Sequence, residues 1–167
     1  AASHGARVAN LSYEGSASST VAQAAQTFVN AGGVLTMAAG NEGIFLSTAD
    51  VSSIVTVGGI NTANSLYNWS NYGNVIDLVA PGCVYTTMSG NAYGAACGTS
   101  FAAPLVAGVA ALMFSANPSL TPASVISMLK QSADDLGTAG WDTYFGSGIV
   151  DANGAVLYYE GFLEDIT

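Results

Sequence analysis

The fold is decided by residues 8–57, and most clearly by the segment 19–38, which reads STVAQAAQTFVNAGGVLTMA. Its first part places apolar side chains at the i, i+3, i+4, i+7, i+8 spacing of an amphipathic helix: Val21, Ala24, Ala25, Phe28 and Val29. We therefore predict a helix over Ser19 to Asn30, ended by Gly32-Gly33. The apolar run from Val34 to Ala38 then predicts a strand.

Further strands on either side of this segment indicate the fold class. A short buried strand is predicted over Val8 to Ser12, another over Ile54 to Val57 where Gly58-Gly59 stops it, and a third over Val75 to Val79. Strand, helix and strand at this spacing favour a parallel sheet with crossover helices, which is an α/β fold. No linker-like change of composition divides the chain, so residues 1–167 are predicted to form a single domain.

The stretch between the two cysteines of the chain, Cys83 and Cys97, predicts a β-hairpin. It alternates along its length and contains a Ser89-Gly90-Asn91 turn. Cysteines at matching ends of antiparallel strands can face each other at the Cα separation of a disulfide. We therefore predict a Cys83–Cys97 disulfide.

Two helices are predicted in the second half of the chain. Residues Thr99 to Ala116 are apolar on all sides, which predicts a central helix buried in the core. Thr121-Pro122 supplies an N-cap and a proline at the first helical position, so a second helix begins there. The apolar run inside the first helix is interrupted by Pro104 and Gly108, so no transmembrane helix is predicted.

Composition excludes several classes of partner and cofactor. A net charge of −9 with 8% charged residues leaves no basic patch for nucleic acid and little attraction to an anionic membrane. Two cysteines and one histidine are too few for a four-ligand zinc site of Cys and His, and no metal site is predicted. No cofactor is identifiable, and a structural calcium ion remains open without an assignable site. The polar, uncharged surface is compatible with secretion, so we expect an extracellular protein.

Ser100 is the candidate nucleophile. The segment Gly98 to Pro104 places it in the first turn of the predicted buried helix, where free N–H groups and the helix dipole favour negative charge. A serine that attacks a carbonyl carbon in acyl transfer needs such an environment, because negative charge develops there. The alternative is that Thr99 and Ser100 only cap the helix.

The longer run from Gly98 to Leu112 resembles the signature around the nucleophile of the subtilisin family of serine endopeptidases. Phe101 and Leu105 depart from the usual pattern at positions that carry no catalytic group. Segments similar to others of that family follow in its order along nearly the entire chain, which matches the C-terminal portion of the catalytic domain. The resemblance implies a three-layer α/β/α fold with a mostly parallel sheet and with its N-terminal part missing.

The resemblance also implies roles for residues before Ser100. Ala38 to Gly43 is similar to the family's oxyanion segment, which makes Asn41 the side-chain oxyanion donor; the alternative is an asparagine that only forms a turn. The strand end Ser12, Tyr13, Glu14 and Gly15 would bind the substrate backbone and form one wall of the specificity pocket. Ala38, Ala39 and Gly40 would form the opposite wall.

The family's acid and base are not identified in the chain. A serine nucleophile needs a histidine base and an acid that orients it. His4 lies only eight residues before Ser12, so we expect it to be a surface residue at the end of a helix. The pair Asp134-Asp135 is expected to be a solvated helix end. The resemblance therefore implies that the chain alone is inactive and needs a partner, the missing N-terminal segment that carries Asp and His.

Two functions remain open from the sequence. The first is a serine endopeptidase that hydrolyses polypeptides through an acyl-enzyme on Ser100. The alternative is a non-catalytic, subtilisin-like binding module. For the endopeptidase we expect a shallow pocket that prefers apolar or aromatic side chains, is partly filled by Phe45 and Leu46, and has Glu14 at its rim.

Overall fold

The computed structural model describes the backbone of residues 1–164 and the side chains of residues 1–158. Its strands are β1 (Val8–Leu11), β2 (Val34–Ala38), β3 (Phe45–Leu46), β4 (Ile54–Ile60), β5 (Tyr72–Gly73), β6 (Leu78–Pro81), β7 (Cys83–Met88) and β8 (Ala92–Cys97). A short 3-10 helix (Ala2–His4) precedes β1, and the α-helices are α1 (Ser19–Asn30), α2 (Thr99–Ala116), α3 (Pro122–Gln131) and α4 (Ala152–Glu164).

The central sheet has four strands in the order β1-β2-β4-β6, and every neighbouring pair is parallel. Val8 aligns with Val34, and Leu35 aligns with Ile54. This confirms the predicted α/β fold. Because β1 pairs only with β2, its other edge is unpaired within the described chain.

Alternation along β2 separates the two faces of the sheet. Val34 and Ala38 pack in the same core cluster as α2, whereas Met37 packs with Ala25 of α1. Because successive side chains of a strand point to opposite faces, α1 and α2 cover opposite sides of the sheet. α3 and α4 pack beside α2. The predicted three-layer arrangement is therefore confirmed.

Two strand predictions were wrong at their boundaries. β4 continues through Gly58 and Gly59 to Ile60, because these glycines pair with β6 instead of ending the strand. A Cβ atom on Gly59 would stand 2.9 Å from the ring of Trp69, so packing explains this glycine. The strand predicted from Val75 begins only at Leu78, because the residues before it form a turn in which the N–H of Ile76 donates to the carbonyl of Gly73.

The hairpin prediction is confirmed. β7 and β8 are antiparallel with Cys83 opposite Cys97, and the two residues form a disulfide with their Cα atoms 4.1 Å apart. The connecting turn is the predicted Ser89-Gly90-Asn91, with positive φ at Gly90 and Asn91.

α2 is the predicted central helix, but it is not buried on all sides. Nine of its residues are buried, while Leu105 is 40% and Leu112 is 55% exposed. Pro104 and Gly108, which interrupt the apolar run, both lie within the helix. By length and composition α2 could cross a membrane, yet it packs against all four strands of the central sheet. It is therefore the core helix of this domain, with one apolar stripe uncovered.

Candidate active site

The candidate nucleophile turn, residues Gly98 to Ser100, connects β8 to α2. Gly98 caps the helix with φ 152°, a backbone conformation that favours glycine, and its N–H donates to the carbonyl of Gly82 at 2.8 Å. The two residues of this hydrogen bond are the sequence neighbours of the Cys83–Cys97 disulfide, since Gly82 precedes Cys83 and Gly98 follows Cys97. The disulfide and the hydrogen bond therefore both hold the start of α2 to the beginning of β7.

Ser100 lies in the first turn of α2 and is half-buried. Its Oγ donates to the carbonyl of Ser12 at 3.0 Å, and Ser12 Oγ donates to the carbonyl of Ser100 at 2.9 Å. The fold therefore brings the two serines together from positions 88 residues apart. The structure places the predicted nucleophile at the carboxyl end of β1, where ligands bind in open α/β sheets.

Asn41 follows β2 and is held against the nucleophile turn by Thr99. Its Oδ1 accepts from the backbone N–H of Thr99 at 2.8 Å and from Thr99 Oγ1 at 3.1 Å. Because a backbone N–H can only donate, this contact assigns the amide orientation. Asn41 Nδ2 has no hydrogen-bond acceptor among the described residues, which leaves its N–H groups available to a ligand.

Thr99 also fixes the loop that carries Asn41. The N–H of Gly40 donates to Thr99 Oγ1 at 3.0 Å, and Thr99 is completely buried. Three hydrogen bonds therefore join Thr99 to the Gly40-Asn41 segment. These hydrogen bonds join the candidate oxyanion loop to the candidate nucleophile turn.

Asn71 supports the same loop, although no role was predicted for it from the sequence. Its Oδ1 accepts from the N–H groups of Glu42 and Ile44 at 3.0 and 3.1 Å. Its Nδ2 donates to the carbonyl of Ala39 at 3.0 Å and to Glu42 Oε2 at 2.7 Å. Asn71 is 1% exposed, so an uncharged side chain with both donors and acceptors is required here. The signal that could have found it is the segment Asn71-Tyr72-Gly73, one of the segments along the chain that resemble the subtilisin family.

The two predicted pocket walls lie at adjacent strand ends, because β1 and β2 are neighbours. Ala38, Ala39 and Gly40 are buried, whereas Tyr13 is 74% exposed. A Cβ atom on Gly40 would stand 3.0 Å from Glu14 Cγ and 2.7 Å from Glu42 Oε2. Two glutamates therefore border the Gly40 wall.

Glu14 is not directed freely into solvent. Its Oε1 accepts from both the backbone N–H and the hydroxyl of Ser16. Gly15, the last predicted wall residue, packs against Val21 of α1, where an added Cβ would stand 3.4 Å from that side chain. The segment Ser12 to Gly15 thus leaves the sheet and runs toward the start of α1.

Phe45 and Leu46, the two residues expected to fill part of the pocket, have different surroundings. Leu46 packs against the core cluster that contains Ala39 and Ile60. The ring of Phe45 lies edge-on to Tyr72, with their centroids 5.6 Å apart. The β3–β5 pairing directs Leu46 into the interior, which the sequence pattern could not show.

His4 lies where it was expected, whereas the exposed acidic pair lies beyond the end of α3 and does not form a helix end. His4 is exposed at the end of the 3-10 helix. Asp135 Oδ2 accepts from the N–H of Gly140 in an exposed loop, and the backbone of Asp134 pairs with Ile149. Neither acid has a hydrogen bond to Ser100. In the described residues, no cluster of three His, Cys, Asp or Glu side chains could hold a metal ion.

The sequence profile of the Subtilase family matches residues 1–148. This chain belongs to the subtilase family. The subtilase chain is 40% identical to alkaline elastase YaB of Bacillus sp. (strain YaB) over 162 residues, covering 93% of this chain and 41% of the relative. It is 38% identical to a subtilisin of Bacillus pumilus over 156 residues, covering 89% of this chain and 56% of that protein. The chain thus spans about half the length of these curated relatives.

Solved structures show the same fold. A lanthipeptide protease superimposes on 95% of this subtilase chain with a TM-score of 0.78 and 26% identity, and the match covers 63% of that structure. A protease of Pseudoalteromonas arctica superimposes on 90% of the chain with a TM-score of 0.75 and 34% identity, covering 50% of that structure. The subtilisin-like α/β architecture is therefore shared with known proteases.

Proposed function

We propose that this subtilase is a serine endopeptidase that hydrolyses polypeptides through an acyl-enzyme on Ser100, with Asn41 in the oxyanion hole. The observation that carries the proposal is the anchoring of the Asn41 amide to Thr99, the residue before Ser100. This contact occupies Oδ1 and leaves the Nδ2 hydrogens to donate to a developing oxyanion. Together with the N–H of Ser100, they supply the two donors that acyl transfer requires.

In this mechanism Ser100 Oγ attacks the carbonyl carbon of the scissile peptide bond. Its proton passes to a histidine base, which then delivers it to the leaving amine. Water hydrolyses the acyl-enzyme in the same way and restores Ser100. The substrate backbone would lie along Ser12 to Gly15, next to the wall formed by Ala38, Ala39 and Gly40.

The base and the acid are proposed to come from the missing N-terminal segment. Support comes from three neighbouring features of the surface. The edge of β1 is unpaired within the described chain. An apolar groove of about 520 Å³ lies beside it, between β1 and α1. The stripe of α2 with Leu105 and Leu112 is exposed on the opposite side of the sheet.

These features fit a segment that adds a strand to β1 and packs apolar side chains on both faces of the sheet. An unpaired strand edge is a template for further pairing, and apolar surface favours burial. We also propose, from the disulfide and the polar, weakly charged composition, that the protein acts outside the cell.

The experiment compares the 167-residue chain with the chain supplemented by the segment that carries Asp and His, using a fluorogenic peptide. We expect no hydrolysis by the chain alone and hydrolysis by the mixture. Ser100→Ala in the mixture is the matched control and should abolish activity. Hydrolysis by the chain alone that Ser100→Ala removes would contradict the need for the segment and return attention to His4.

The second candidate is a non-catalytic binding module of the same fold. The observation that favours it is that Ser100 Oγ donates to the carbonyl of Ser12 and has no basic side chain as partner among the described residues. A fluorophosphonate probe distinguishes the two, because it labels only an activated serine. Labelling of Ser100 in the mixture supports the endopeptidase, whereas peptide binding without labelling supports the module.

A further inference from the structure

α2 contains a proline one turn after the nucleophile. Pro104 has no N–H, so it cannot donate to the carbonyl of Ser100, which lies four residues before it in the helix. An unpaired carbonyl in a half-buried turn is costly and is normally satisfied by another donor. The donor here comes from outside the helix.

Ser12 supplies that donor from the end of β1. Its Oγ donates to the Ser100 carbonyl at 2.9 Å, while its own carbonyl accepts from Ser100 Oγ at 3.0 Å. The backbone and the side chain of Ser100 are thus both held by one residue. This pairing links the sheet directly to the first turn of α2.

A line of polar side chains sets the direction of the Ser12 hydroxyl. Asn10 Nδ2 donates to Ser12 Oγ at 2.9 Å, which leaves the hydroxyl proton free to point at Ser100. Asn10 Oδ1 in turn accepts from Thr36 Oγ1 at 3.0 Å, and Thr36 is completely buried. The line runs from the sheet interior to the nucleophile.

We propose that Ser12 is a positioning residue whose hydroxyl replaces the helical hydrogen bond that Pro104 removes, and so fixes the nucleophile turn to β1. Any residue other than proline at position 104 would have a backbone N–H that could donate to the Ser100 carbonyl within the helix. The helix would then have no need of Ser12. The combination of a proline and an external hydroxyl makes the orientation of Ser100 depend on the sheet that also carries Asn41.

The test is a double-mutant cycle on the full chain, made of Ser12→Ala, Pro104→Ala and the double variant, with urea midpoints as the readout. We expect Ser12→Ala to lower the midpoint clearly in the wild-type background. In the Pro104→Ala background the decrease should be less than half as large, because the new N–H at position 104 can donate to the carbonyl of Ser100. Equal decreases in both backgrounds would overturn the proposal.

A second cycle uses Ser12→Thr and Ser12→Val, which are nearly isosteric and differ in the hydroxyl group. Ser12→Thr should retain a midpoint close to wild type, and Ser12→Val should show the same dependence on Pro104 as Ser12→Ala. This pair gives the measurement even where the smaller side chain of Ser12→Ala prevents folding. Identical midpoints for the two variants in the wild-type background would also overturn the proposal.

A kinetic readout rests on the proposed function, whereas both stability cycles are independent of it. In the supplemented enzyme, Ser12→Ala should lower kcat by about tenfold or more with little change in KM, since a small misplacement of a nucleophile is costly. Ser12→Thr should restore kcat. Unchanged kcat in an active enzyme would contradict the positioning role, whereas an inactive wild-type mixture would contradict only the endopeptidase proposal.

Discussion

The carboxylate of Asp77 forms an ion pair with the ammonium group of Lys130, and the Asp77 side chain is only 2% exposed. Asp77 Oδ2 also accepts from the N–H of Thr56 at 2.7 Å. Burial raises the pKa of Asp77 from 3.8 to about 6, and the nearby charge of Lys130 offsets only part of this effect. The pair joins the last turn of α3 to the residue that precedes β6.

Lys130→Met should destabilise the fold because it leaves the Asp77 carboxylate buried without its partner. Removing one member of a buried pair costs about 3–5 kcal/mol, and the partial exposure of Lys130 favours the lower end. The loss should be larger at pH 8 than at pH 5, where Asp77 can take up a proton. Urea unfolding at the two pH values measures the loss in free energy of unfolding. At pH 8 the double variant Lys130→Met with Asp77→Asn should lose less free energy of unfolding than Lys130→Met alone.

Because of Asp77, the free energy of unfolding of the wild type should decrease as pH rises from about 4 to about 6. The pKa of Asp77 is higher in the folded chain, so over this range the folded state keeps a proton that the unfolded state has released. The stabilisation is therefore complete below the unfolded pKa and is lost as pH rises through the folded pKa. Asp77 should contribute about 3 kcal/mol to the free energy of unfolding below the unfolded pKa.

The measurement compares the free energy of unfolding of wild type and Asp77→Asn across this pH range. The difference between the two proteins removes the contribution of all other titrating groups. The wild type should lose stability relative to Asp77→Asn as pH rises. A difference that stays flat from pH 4 to pH 6 would show that Asp77 has an ordinary pKa.

Asn41→Ala should lower kcat of the supplemented enzyme by about 10²–10³ with little change in KM, a magnitude that comes from measurements on subtilisin. The expected reason is the loss of the Nδ2 donor from the oxyanion hole. Asn41→Asp is the matched control, because it retains an acceptor for Thr99 but has no N–H to donate. A rate change below about threefold in both variants would reduce Asn41 to a turn residue.

Loss of the Cys83–Cys97 disulfide should lower the free energy of unfolding by about 3 kcal/mol, the chain-entropy value for a loop of this size. Thiol titration of the unreduced, unfolded protein should find no free cysteine, and the variant with both cysteines replaced by serine should unfold at lower urea. Since the disulfide adjoins the Gly98–Gly82 hydrogen bond, kcat should also fall in the supplemented enzyme. Two titratable thiols would exclude the disulfide.

The specificity pocket should prefer apolar or aromatic side chains before the cleaved bond, with at most a modest benefit from Lys or Arg. Glu14 is exposed and already bonded to Ser16, so its attraction for a cation should stay below about 1 kcal/mol. A fluorogenic peptide panel with wild type and Glu14→Gln measures this preference. A tenfold preference for Arg over Leu that collapses in Glu14→Gln would make Glu14 the specificity residue.

Elements with a strong local pattern could be predicted from the sequence. α1, β2 and α2 lie over the residues expected, because helical spacing, the strand run and the glycines between them are all encoded within a few residues. The Cys83–Cys97 pairing was predictable for the same reason, since one short turn sets the register of the hairpin. The roles of Ser100 and Asn41 are predictions from family-like segments, and the fold places Asn41 against Thr99, the residue before Ser100.

Only the tertiary structure decided how these pieces interact. The contacts of Asn71 with the Asn41 loop, of Ser12 with Ser100 and of Lys130 with Asp77 join residues far apart in sequence, so no local pattern encodes them. The continuation of β4 through Gly59 depends on the Trp69 ring above it, and the exposed stripe of α2 depends on what covers the helix. Local propensity determines which residues form each element, whereas burial and hydrogen-bond satisfaction between elements determine what each side chain can do.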